Sequence, residues 1–126
     1  MLNSSQQWLL FFSAMTGFIA VAAGAFGAHA LKTKISPEML TVFEVGVRYQ
    51  MYHALAMGLS IWVSTVVSGV WPLAAGWTFL AGIAIFSGSL YILALTAVKA
   101  WGAVTPIGGL LLLAGWVFLA IAAFKS

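Results

Sequence analysis

Two histidines, His29 and His53, are the only imidazoles in a 126-residue chain that has no cysteine. On neighbouring helices they could ligate a haem or share a metal ion. A protein metal site ordinarily wants three or four ligands with hydrogen-bonded supporting groups. The nearest carboxylate, Glu44, is spaced at i, i+4 to pair with Arg48 instead. Ligation is therefore the least favoured reading of the histidines. Structural hydrogen bonding comes first, and protonation or lipid-headgroup binding by a group that titrates near neutrality comes second. No nucleophile and base, no paired carboxylates and no thiolate are spaced for catalysis. The chain is expected to be non-enzymatic, with no metal and no cofactor.

The other polar groups gather with these histidines. At about 100° per residue, Glu44, Arg48 and Tyr52 form one helical stripe, and Gly46, Tyr49, His53 and Ser60 form the adjacent one. Ser87, Ser89 and Tyr91 lie further along, and Thr105 follows them. The candidate cluster is His29, Glu44, Arg48, Tyr49, Tyr52, His53, Ser87, Ser89, Tyr91 and Thr105. Such groups are costly inside a bilayer, so they should face the interior of whatever bundle holds them. The plainer reading of Glu44 and Arg48 is charge neutralisation at a helix end.

The elements that position these groups follow from composition. Hydrophobic residues make up 63% of the chain, charged residues 6%, and the mean hydropathy is +1.11. Soluble domains do not have that balance. Trp8 to Leu31 carries no charge, nor does the long stretch between Arg48 and Lys99, and a last apolar run fills Ala100 to Phe124. A span needs about 20 apolar residues to cross a core of roughly 30 Å. The runs lack the alternation of barrel strands, so the expected fold is all-α: an integral membrane four-helix bundle in one domain, residues 1–126. The helices are expected over about 8–31, 37–67, 73–98 and 103–124.

Ala28-His29-Ala30 has the form of a signal cleavage site, but the segment before the first run has no Lys or Arg and the run is too long, so it reads as a retained helix. Ser36-Pro37-Glu38 gives an N-cap, a proline in the first turn and an acid beside it. From there to Val67 is about 46 Å of helix, which must either project into the interface or bend near Gly46. Thr105-Pro106 with Gly108-Gly109 predicts a distorted start to the fourth helix.

Lys32, Lys34, Arg48 and Lys99 lie toward one side and Lys125 toward the other. The positive-inside rule therefore puts both loops in the cytoplasm and both termini outside, in a cell inner membrane. The net charge of +3 serves helix ends and lipid headgroups rather than nucleic acid. Both histidines would then sit about 5 to 8 Å inside the inner leaflet, meeting each other there. Trp8, Trp62, Trp71, Trp77 and Trp116 would belt the apolar outer half. Ala20, Gly24, Gly27 and Ala28 on the first helix, and Ala84 and Gly88 on the third, have spacings that let helices approach closely. Pro106, Gly108 and Gly109 are assigned to packing as well.

Four segments together resemble a known family: Gly24-Ala25-Phe26-Gly27-Ala28-His29-Ala30-Leu31, Arg48-Tyr49-Gln50-Met51-Tyr52-His53-Ala54-Leu55, Phe86-Ser87-Gly88-Ser89-Leu90-Tyr91 and Thr105-Pro106-Ile107-Gly108-Gly109. In this order they resemble the domain of unknown function 423 family, whose animal members are named transmembrane protein 256. The resemblance implies a four-helix inner-membrane protein without an established activity. The expected function is interaction: a bundle associated with the lipid bilayer and with a homo-oligomer or larger membrane complex. The alternative is an oligomeric transporter or lipid-binding protein using the polar cluster.

Overall fold

The computed structural model describes residues 1–125 and contains four long helices. Helix α1 covers Ser4–Leu31, α2 Pro37–Val66, α3 Trp71–Thr96 and α4 Thr105–Ala122, the last preceded by a 3-10 turn at Lys99–Ala103. By length and composition α1, α3 and the segment Lys99–Ala122 are each suited to cross a membrane. Helix α2 is long enough but more polar, and of its polar side chains Gln50, His53 and Ser60 turn inward.

Helix α1 begins before the expected Trp8 because Asn3 caps it. The Asn3 side chain accepts from the Gln6 N–H at 2.9 Å, and the Gln6 side chain returns a bond to the Asn3 N–H at 2.8 Å. This reciprocal box satisfies two otherwise free donors. Near its far end α1 widens into one π-helical stretch, Ala23–Gly27, before closing as Ala28–Leu31. Ser36 caps α2 as expected, accepting from the Met39 N–H at 3.1 Å. No break occurs at Gly46, so α2 is one helix of about 45 Å. The α2 to α3 turn uses Gly69 at φ +98°, a conformation that favours glycine. The distortion expected near Pro106 resolves into the 3-10 turn, with Pro106 in the first turn of α4, where its missing N–H breaks no helical bond.

Helices α2 and α3 form the central pair, with α1 flanking α2 and α4 flanking α3; α1 and α4 do not touch among the described residues. The core joins Leu9, Met57, Ile61, Phe79, Ile83 and Leu112. One end of the bundle carries the 32–36 loop and the 3-10 turn, called the loop side below; the termini lie at the other.

Glycine sets the α3 to α4 crossing. A Cβ on Gly108 would overlap the backbone nitrogen of Phe86, one on Gly115 would lie 2.5 Å from the Phe79 ring, and one on Gly82 would lie 2.5 Å from Leu112. Ala20 is buried, a Cβ on Gly24 would come 3.0 Å from Val47, and one on Gly27 would come 3.4 Å from Phe43. Ala28 is half-buried beside them. The expected α3 stripe makes no such approach. Ala84 is exposed and a Cβ on Gly88 would meet nothing within 4 Å, because the packed face of α3 is the one bearing Gly82, Ile83 and Ser87.

Candidate functional site

Most of the buried polar side chains of the bundle hydrogen-bond across helix boundaries, to side chains or backbone carbonyls of a neighbouring helix. Gln50, 4% exposed, is the centre. Its Nε2 donates to the Thr16 carbonyl of α1 at 2.8 Å, and its Oε1 accepts from the Tyr91 hydroxyl of α3 at 2.6 Å. One side chain thus ties three helices. Ser87 donates to the Gly46 carbonyl at 2.7 Å, and Ser89 and Thr105 share a bond of 2.7 Å between α3 and the start of α4. Ser13 donates to the Ala54 carbonyl at 2.8 Å, and Gln6 donates to Ser64 at 2.9 Å. Trp77 donates to Ser5 at 3.1 Å.

His53 joins α2 to α4. Trp116 Nε1–H donates to His53 Nε2 at 3.0 Å, which makes Nε2 the acceptor; Nδ1 then carries the proton and donates to the Tyr49 carbonyl at 2.7 Å. An indole N–H is donor only, so the neutral tautomer follows from geometry. The ring packs between Phe79 and Tyr49. Both nitrogens are occupied, leaving no lone pair for a metal or haem. Among the described residues no three of His, Cys, Asp and Glu gather as a metal site.

Several expected members lie elsewhere. His29 is exposed and does not meet His53. Gly27, two positions before it, packs near Phe43, and Phe43 precedes His53 by about 15 Å of helix. His53 itself is about 24 Å from the start of α2, near its middle, so Trp116 from the expected outer belt reaches it. Glu44 is half-buried and Arg48 exposed, and neither enters the hydrogen-bonded network; the expected pairing between them is absent among the described residues. Tyr52 and Tyr49 turn outward, 54% and 40% exposed, although the Tyr49 carbonyl serves His53. Gln50 was not among the expected residues. Its signal was positional: it shares a face with Gly46, Ala54 and Met57, all buried.

Between α2 and α4, over α3, a groove of about 530 Å³ opens sideways, lined by Tyr49, His53, Phe86, Pro106, Gly109 and Trp116 among others. From Pro106 to Trp116 it runs about 15 Å along α4. Its surface is largely apolar; the polar groups in its lining are the bonded His53 and Trp116 and the Tyr49 hydroxyl.

These features define a class, a helical membrane bundle whose buried polar groups tie the helices together. Residues 23–109 match the family model described as Protein of unknown function (DUF423), and the chain belongs to this family. It is 50% identical over 115 residues to UPF0382 membrane protein SAB0533 of Staphylococcus aureus, covering 89% of this chain and 91% of that one. It is 43% identical over 113 residues to UPF0382 membrane protein YwdK of Bacillus subtilis, covering 89% and 92%. No solved structure matches the chain.

Proposed function

We propose that the protein is a non-enzymatic interaction or accessory bundle that works by associating with a second copy of itself or with a larger membrane complex. The observation that carries this reading is the complete internal use of its buried polar groups: among the described residues, no buried side-chain nitrogen or oxygen lacks a hydrogen-bond partner. Of the candidate polar cluster, Ser87, Ser89, Tyr91, Thr105 and His53 are committed to neighbouring helices. What remains for partners is the outer surface. It includes Trp8, Phe11, Phe18 and Phe26 on α1 and Leu110, Leu113 and Val117 on α4, all exposed. Native mass spectrometry of the full chain in mild detergent tests the proposal. Species at multiples of 13.3 kDa, or a stoichiometric co-purifying chain, are expected; monomer alone contradicts it.

The proposed setting is a bacterial inner membrane with both termini outside the cytoplasm. Its support is the bias of Lys32, Lys34, Arg48 and Lys99 to the loop side. Reporter enzymes active only outside the cytoplasm should work when fused to either terminus, and activity of cytoplasmic reporters at both positions would reverse the orientation.

A further inference from the structure

We propose that the groove between α2 and α4 holds one acyl chain of an anionic phospholipid whose phosphate is held at the loop side by Arg48. This goes beyond the association reading and does not depend on it. Five observations meet here.

The groove opens toward the bilayer and runs about 15 Å from Pro106 to Trp116, close to the depth of one leaflet of a roughly 30 Å core. Its walls are mostly rings and aliphatic side chains; of its polar wall groups, His53 and Trp116 bond each other rather than an occupant, and the Tyr49 hydroxyl lies at the exposed edge. Gly109 keeps it wide without serving the helix crossing. A Cβ there would reach only the edge of the Phe86 ring, at 3.8 Å, whereas one on Gly108 would strike the Phe86 backbone. Arg48 directly precedes the wall residue Tyr49 and is exposed, about 8 Å loopward of His53 and on the outer side of α2 beside the groove. It lies within the apolar zone, so its long stem must carry the guanidinium up toward the interface, where phosphate oxygens are the matching acceptors. The loop-side end holds Lys32, Lys34 and Lys99 against Glu38 and Glu44, an excess of positive charge that favours anionic over zwitterionic lipid.

The test is native mass spectrometry of the delipidated full chain titrated with phosphatidylglycerol or phosphatidylcholine. The expected result is one retained phosphatidylglycerol per chain, in preference to phosphatidylcholine. Arg48→Gln should weaken phosphatidylglycerol retention about fivefold, the equivalent of about 1 kcal/mol for one cation near a headgroup, and weaken phosphatidylcholine less, because its own ammonium offsets its phosphate. Gly109→Leu should abolish retention of the single lipid by filling the groove. Leu113→Trp fills the same space from a side chain already 63% exposed, so it carries the test if Gly109→Leu does not fold. Gly88→Leu, which adds equal bulk where nothing lies within 4 Å, should bind as the parent does.

Equal retention of the two lipids would overturn the proposal, as would parent-like binding by both groove-filling variants. If those variants instead convert a dimer to monomer without changing the bound lipid, the occupant is a second copy and the lipid proposal fails. A monomer that retains one phosphatidylglycerol would sustain this inference while refuting the association reading.

Discussion

The two helix hairpins of this bundle solve the same problem by different physics. Helices α1 and α2 are joined by hydrogen bonds at three depths: Gln6 to Ser64, Ser13 to Ala54, and Gln50 to Thr16. Helices α3 and α4 are joined by close approach at Gly82, Gly108 and Gly115, with one hydrogen bond, Ser89 to Thr105, near the loop side. Lipid gives two apolar helices no hydrophobic reason to associate, so contact must come from shape or from polar groups that lack partners elsewhere. The shape-based seam leaves no slack for added atoms. The bonded seam tolerates small changes and spreads its stability over several weak links.

The largest expected effect falls on the glycine seam. Gly108→Ala must push α4 away from the Phe86 backbone, and the loss should be about 3 kcal/mol, at the upper end of overpacking costs. Unfolding in mixed detergent with added dodecyl sulfate measures it, and a loss below that of Ser13→Ala would break the comparison. Next is Trp116→Phe, which keeps the ring against Phe79 but removes the donor to His53. With Nε2 left unpaired the expected cost is about 1 to 2 kcal/mol. His53→Gln, which keeps a donor and an acceptor, should retain more stability than His53→Ala. Ser13→Ala, one link among three, should cost about 0.6 kcal/mol, the average for such bonds inside membranes. Gly88→Ala should be smallest, within about 0.5 kcal/mol of zero, because its added methyl faces open space.

Element order was readable from the sequence, since Ser36-Pro37 and Trp71-Pro72 punctuate it through caps and missing donors that act locally. Direction around each helix was not. Ala20-Gly24 and Ala84-Gly88 have the same spacing, yet Ala20 is buried and Gly24 comes against Val47 of α2, while Ala84 is exposed and a Cβ on Gly88 would meet nothing within 4 Å, because spacing defines a face without saying which neighbour covers it. His29 and His53 were placed at one depth by counting from Lys32 and Arg48. That count misled because it took Lys32 and Arg48 as marks of one depth, whereas Gly27, beside His29, packs near Phe43, ten residues before His53 on an unbroken α2. Gln50 went unremarked because a lone amide between Tyr49 and Met51 gives no motif; its role depends on Thr16 and Tyr91, far away in sequence. Seven positions separate Gly108 from Gly115, and that shared face was the sequence trace of the α3 to α4 seam.

The central claim is that the buried polar groups hold helices together, and a double-mutant cycle between Gln50→Leu and Tyr91→Phe tests it most directly. The structure brings these side chains within 2.6 Å across the α2 to α3 boundary. Unfolding free energies of the parent, both single variants and the double variant should give a coupling of about 1 kcal/mol, in the range for interhelical hydrogen bonds in membranes. A coupling indistinguishable from zero would contradict the account.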